Sequence, residues 1–163
     1  MADLKDAQQL FHEGLAALNR AALHGIRVDT NYCKKIDKSL EYKLNVLDEK
    51  LRSSRLGRIW KNTFKTPNWK SGPQLQTILF QRLKLKSVKT TDKGGDSIDN
   101  EVLEILKEKV PDLKYLINYN QFEKVKNTYI NNLLKESIDG IMHPVPNLHT
   151  ARTFRSSYSD PNL

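Results

Sequence analysis

Residues 30–53 read TNYCKKIDKSLEYKLNVLDEKLRS. Tyr32, Ile36, Leu40, Leu44, Leu47 and Leu51 recur at steps of four, four, four, three and four, the spacing of one face of an α-helix. Lys34, Lys38, Glu41, Asn45 and Asp48 fall on the opposite face. A long helix with so narrow an apolar seam buries that seam against another helix. The stretch predicts a mainly α fold organised around a long antiparallel helix pair.

Upstream, residues 4–24 read as a helix with Leu10, Phe11, Leu15 and Leu18 on one face. Gly25 stands where a left-handed C-terminal cap belongs, and Asp29 is placed to cap the helix at 30. Downstream, Leu56, Ile59, Trp60 and Phe64 fit either a short helix or a loop, and Pro67 ends any helix there. Ser71-Gly72-Pro73-Gln74 is a helix start, with Ser71 as N-cap, proline in the first turn and Gln74 at the capping-box position. Leu75, Ile78, Leu79 and Leu83 give that helix its buried face. Residues 84–97 are small, polar and basic with a Gly94-Gly95 pair, and read as an exposed loop. Ser97 is expected to cap a helix over 98–109 with Val102, Leu103, Ile105 and Leu106 as its apolar positions. Pro111 restarts a helix to about 138, with Leu116, Ile117, Val125, Tyr129, Leu133 and Leu134 inward. Residues 141–163 contain Pro144, Pro146 and Pro161 among β-branched and aromatic residues, and read as a short β-hairpin with an extended tail.

Composition narrows the function. The 163 residues are 38% hydrophobic and 28% charged, enough apolar material for a core. No apolar run approaches the roughly 20 residues of a membrane span, and no secretory signal is visible at the N-terminus. One cysteine, Cys33, allows neither an intrachain disulfide nor a cysteine-rich zinc site, so a cytoplasmic setting is expected. His12, His24, His143 and His149 show no ligand spacing. The net charge is +8, and it is concentrated. Residues 50–89 carry 11 basic side chains and no acidic one: Lys50, Arg52, Arg55, Arg58, Lys61, Lys65, Lys70, Arg82, Lys84, Lys86 and Lys89. Charge gathered in one segment points to a polyanionic partner more strongly than the same charge spread evenly.

The run Thr150-Ala151-Arg152-Thr153-Phe154-Arg155-Ser156-Ser157-Tyr158-Ser159-Asp160-Pro161-Asn162-Leu163 resembles the T-x-T-G-R-L-S-S-x-x-P-N-L segment that opens the palm of family A DNA polymerases, the bacterial polymerase I group. Other segments resemble that family in the same order. Gly25-Ile26-Arg27-Val28-Asp29 is similar to its G-[IV]-x-[VL]-D. Residues 68–83 are similar to N-x-N-S-x-x-Q-L-x-x-I-L-F-x-x-L. Lys89-Thr90 with Gly94, Ser97 and Val102-Leu103 are similar to K-T-x-x-G-x-x-S-T and the helix after it. Residues 119–129 are similar to Y-R-E-L-x-K-L-K-S-T-Y, and Gly140-Ile141-Met142-His143 to G-R-I-H.

The resemblance implies a helical thumb that holds the primer–template duplex from its minor-groove side, followed by the first hairpin of an incomplete palm. It assigns residues 1–28 to a leading helix at the palm–thumb junction, 29–139 to the thumb and 140–163 to the palm hairpin. It implies that Arg155 reaches the minor groove at the primer-terminal pair and that Asn162 lies near the primer strand. Lys124, Lys126, Thr128 and Tyr129 would face the duplex. Ser71, Lys89, Thr90, Lys93 and Ser97 would touch backbone phosphates. Such contacts suit a protein that must hold any sequence, because they go to phosphates and to minor-groove acceptors common to all pairs.

The sequence departs from the family pattern at Phe154, where a glycine is usual, and at Asn120, where an arginine is usual; Arg152 adds a cation. The family's metal-binding palm aspartates and its nucleotide-binding fingers helix lie beyond the matched segments. Magnesium is therefore expected for a complete polymerase and not for this chain, whose catalytic residues would be supplied elsewhere, for instance by a separate palm-and-fingers chain. The expected role is primer–template binding in DNA replication, in a bacterial or phage setting. The alternative is a non-catalytic helical DNA-binding or interaction module.

Overall fold

The computed structural model describes residues 4–91, 94–148 and 155–159, with the side chain of Leu4 excepted. It is mainly helical with short antiparallel strands. The chain divides into a middle unit, Ser39–Val125, and a terminal unit made of Met1–Lys38 and Lys126–Leu163. Helix α2 (Thr30–Ser53) begins in the terminal unit and continues in the middle one, with the bounds its periodicity predicts.

The middle unit holds the core. Leu51, Leu56, Trp60, Trp69, Leu75, Ile78, Leu79, Val102, Leu103, Leu106, Leu113, Leu116 and Ile117 form one buried cluster. The ambiguous stretch after α2 resolves as a helix, α3 (Arg55–Thr63), because Ser54 accepts a hydrogen bond from the Gly57 amide and starts it. Helix α4 (Gly72–Gln76) is capped by Ser71 as expected and runs on into a π-helical turn, Thr77–Arg82. Helix α5 (Asn100–Leu106) and helix α6 (Leu113–Lys124) complete this unit. The Lys43 ammonium stands over the Phe122 ring at 5.3 Å, and Asp48 and Arg52 act electrostatically on Tyr119. Rising numbers on α2 meet falling numbers on α6, so the two are antiparallel.

Several expectations shift here. Gln74 does not close a capping box: its side-chain oxygen accepts from Trp60 Nε1 at 2.8 Å and from the Asn68 amide at 2.9 Å, so it fastens α3 to the turn before α4. Asp99, not Ser97, caps α5, by accepting from the Val102 amide at 2.9 Å. The helix is accordingly shorter than 98–109, and Ile105 points to solvent, 50% exposed. The helix expected from Pro111 to 138 is interrupted by a π-helical turn, Val125–Ile130, before helix α7 (Asn131–Glu136). Val125 and Tyr129, expected inward, are both exposed; at about 100° per residue Val125 already falls well away from the Leu113, Leu116 and Ile117 face of α6. On α2, Cys33 is buried where the periodicity predicts Tyr32, and Tyr32 is exposed.

The terminal unit is thinner. Helix α1 (Leu4–His24) ends at Gly25, whose φ of +71° is the left-handed cap the sequence predicts. Asp29 accepts from the Tyr32 amide at 2.9 Å and caps α2. Strand β1 (Ile26–Arg27) pairs antiparallel with β3 (Ile141–Met142), which also pairs with β2 (Ser137–Ile138). Asp139 and Gly140, both at positive φ, make the tight turn between β2 and β3. The hairpin expected within 141–163 is present as β4 (Val145–Asn147) paired with β5 (Ser157–Ser159). Leu10 and Leu15 of α1, expected on a packed face, are exposed.

Candidate nucleic-acid interface

The loop between the π turn and α5 is folded back on itself. The Ser97 amide donates to the Lys89 carbonyl at 2.8 Å, and the Thr91 amide to the Gly95 carbonyl at 2.7 Å. Thr90 pairs with Asp96 in an isolated antiparallel bridge. This presents Thr90 to solvent. Lys89 is placed otherwise. Its Nζ lies 2.9 Å from Asp99 and 3.3 Å from Glu101, so the cation pins the loop to the start of α5. That ammonium, with the Val102 amide after it, holds the Asp99 carboxyl down at about 2, and the two carboxylates raise the Lys89 ammonium in turn. Ser97 is 7% exposed and its hydroxyl donates to Asp99 at 3.1 Å. Lys93 lies outside the described residues.

Ser71 is half-buried, with its hydroxyl engaged at the start of α4. Its neighbour Lys70 pairs with Glu123, which raises the ammonium above its ordinary value. On the second helical stretch Lys124 and Thr128 are exposed, and Tyr129 is 53% exposed with its ring available to a partner. Lys126 is turned inward and ion-paired with Asp37 at 2.9 Å. Lys124 is exposed at the end of the middle unit; Thr128 and Tyr129 are exposed in the terminal unit, where Lys126 is engaged with Asp37.

Two sequence-remote segments come together in the terminal unit. The Val28 amide donates to the Gly140 carbonyl at 2.8 Å, and His143 Nδ1 donates to the Ala22 carbonyl at 2.8 Å. A Cβ on Gly25 would meet Ile141 at 2.5 Å and the His143 ring at 2.8 Å, so this position needs glycine for space as well as for φ. The Gly25–Asp29 and Gly140–His143 motifs are therefore two sides of one junction. Arg155 is exposed and lies two residues before β5. Phe154 and Asn162 lie outside the described residues, so the backbone at the Phe154 departure is outside them too. Among the described residues no three His, Cys, Asp or Glu side chains gather to hold a metal, and none of the described helices is long and apolar enough to cross a membrane.

Known proteins are similar to this chain in sequence and in fold. The family described as DNA polymerase family A matches residues 30–163. A thermostable DNA polymerase I of Thermus thermophilus is 32% identical over 161 residues, covering 94% of this chain and 18% of that protein. DNA polymerase I of Bacillus subtilis is 35% identical over 141 residues, 85% of this chain and 15% of that protein. Among solved structures, the POL domain of Pol1 from M. smegmatis, in complex with DNA primer–template and dNTP, superposes with a TM-score of 0.75 at 29% identity, over 91% of this chain and 24% of that one. The chain spans less than a fifth of the length of these two curated relatives. It is similar to them across both of its units, and it belongs to DNA polymerase family A.

Proposed function

We propose that this chain is the primer–template-binding part of a family A DNA-directed DNA polymerase acting in replication, with residues 1–28 as a leading helix, 29–139 as thumb and 140–163 as the first palm hairpin. The observation that carries the reading is the family match over 30–163. A basic segment, residues 50–89, with no acidic residue supports it. In this reading Lys124, Thr128 and Tyr129 face the duplex, with Lys126 holding that helical stretch to Asp37. Thr90 and Lys93 present the loop to phosphates, while Lys89 and Ser97 brace it from behind. Ser71 orders the α4 start. Arg155 donates to purine N3 and pyrimidine O2 in the minor groove, acceptors that every correct pair offers, and Asn162 assists near the primer. Residues outside these 163 supply nucleotidyl transfer, with magnesium, on the same or a separate chain.

The test is binding of the pure chain to a fluorescent primer–template of arbitrary sequence across a salt series. Log affinity should fall with log salt by several units of slope, about 0.9 for each neutralised phosphate, and be indifferent to sequence. Lys124→Gln should reduce the slope by about 0.9. Arg155→Ala should leave the slope nearly unchanged and abolish the preference for a primer terminus over blunt duplex. A strong sequence preference, or no salt dependence, would replace this reading with that of a specific DNA reader or a protein-interaction module. Primer extension by the pure chain with four nucleotides would overturn the assignment of catalysis to other residues.

A further inference from the structure

We propose that the outward face of α3 is a second phosphate-backbone surface for nucleic acid, formed by Arg55, Arg58 and Lys61. The inference rests on the nucleic-acid reading above and adds residues that the resemblance did not supply.

Residues 50–89 hold 11 cations, and they are not equally available. Ion pairs neutralise Arg52 with Asp48, Lys70 with Glu123, and Lys89 with Asp99 and Glu101. No ion pair joins Arg55, Arg58 or Lys61 to an acidic side chain among the described residues. All three are exposed. At about 100° per residue, Leu56, Gly57 and Trp60 of α3 occupy its buried side. Arg55, Arg58, Lys61 and Asn62 share the opposite arc of about 120°. Neighbouring cations at a spacing of three repel one another on a helix. A bound polyanion relieves that repulsion.

The helix that carries this arc is held from several directions. The Leu56 amide donates to Asp112 at 3.1 Å, and Trp60 Nε1 donates to Gln74 at 2.8 Å. Trp60 and Trp69 meet edge to face at 4.9 Å. A Cβ on Gly57 would lie 1.9 Å from the Leu51 carbonyl oxygen, so α3 abuts the end of α2 with no room between the backbones. The cations are therefore mounted on a fixed support.

From Arg55 to Lys61 the helix axis advances about 9 Å. Phosphates along one strand advance about 3.4 Å each, so the arc matches two or three of them. Guanidinium groups suit phosphate oxygens geometrically. An acidic protein partner is the lesser fit, because protein interfaces bury an apolar or aromatic centre and this arc has none. Nucleic-acid interfaces are polar and strongly positive.

The experiment uses the full chain, the same fluorescent primer–template and a salt series. R55Q/R58Q/K61Q should lower the salt slope by about 2.7, three times the effect of Lys124→Gln. Circular dichroism checks that each variant is folded; Arg58→Gln alone, expected to lower the slope by about 0.9, carries the test if the triple variant is not. An unchanged slope in the folded α3 variants, with Lys124→Gln still weakening binding, overturns this proposal and leaves the thumb reading standing. A folded wild-type chain that ignores DNA at low salt overturns both. Displacement of the DNA by polyglutamate at matched charge, lost in the α3 variants, would reassign the face to an acidic protein.

Discussion

The two units of this chain bury their apolar residues very differently. In the middle unit Trp60, Leu51, Ile78, Leu79, Leu106, Leu113 and Leu116 are inaccessible to solvent, and indole and amide groups around them are hydrogen-bonded. In the terminal unit Leu10 is 72% and Leu23 77% exposed, and Ile26, Tyr32, Ile138 and Val145 are also open. Among the described residues there, Cys33 and Met142 reach the buried class, together with Pro144 and Pro146. Both units have helices with apolar periodicity. What separates them is whether a second layer meets the apolar face. Periodicity announces that a face exists; burial depends on what the rest of the chain places against it.

The largest effect should come from emptying the better-packed region. Trp60 is fully buried, touches Trp69 edge-on and donates to Gln74. Trp60→Ala removes that volume and leaves the Gln74 oxygen short of one donor, at a cost of about 3–5 kcal/mol. Leu23→Ala, at an exposed site, should change stability by no more than about 0.5 kcal/mol. Urea unfolding of the two variants, followed by tryptophan fluorescence for Leu23→Ala and by circular dichroism for both, makes the contrast. Equal losses would mean that the terminal unit depends on its apolar surface as much as the middle unit does.

A smaller loss is expected at the junction that gives the terminal unit its order. Gly25→Ala forces a side chain into the left-handed region, at about 1–2 kcal/mol, and adds a contact with Ile141 and His143 that the present spacing does not allow. Hydrogen exchange should show it first at the Val28 amide, which donates to Gly140. Protection retained there, with stability unchanged, would show that the two motif segments do not depend on one another.

How much of this is legible in the sequence differs by mechanism. The bounds of α2, the Gly25 and Asp29 caps and the Ser71 start follow from local rules, and local rules are written in adjacent residues. The family resemblance is carried by ordered motifs, and the two that lie farthest apart before the C-terminal run, at Gly25 and Gly140, meet in space. Gln74 escapes the local rules because its best partners, Trp60 and the Asn68 amide, become available only after the chain folds back. Val125 and Tyr129 are exposed because apolar identity alone does not put a residue on the buried face, and nothing in VKNTYI marks the π turn that the structure has there. The basic segment is legible as a segment. Which of its cations are neutralised is not, because the partners Glu123, Asp99 and Glu101 come from outside it.

The smallest expected effect concerns one such partner. Asp99 titrates at about 2, lowered from 3.8, first by the Lys89 ammonium and next by the Val102 amide. A carboxyl whose folded value is lowered stabilises the fold above its unfolded value, and that contribution is lost as the pH falls through the folded one. The loop and the start of α5 should therefore loosen between about pH 4 and pH 2, seen as faster exchange of the Ser97 and Val102 amides. Lys89 is raised, so its share is present below its ordinary value and is lost as the pH climbs through the folded value. Neither change should appear near neutrality. Lys89→Met removes the first cause and keeps the second, so Asp99 should titrate higher than in the wild type yet still below its ordinary value. A carbon-detected titration of the Asp99 carboxyl reads this directly. If the variant leaves the titration where it was, the Val102 amide and the Ser97 hydroxyl set it without Lys89. Lys89 would then be held to the loop by weaker forces than its two short contacts imply, and its ammonium would be available to a phosphate after all.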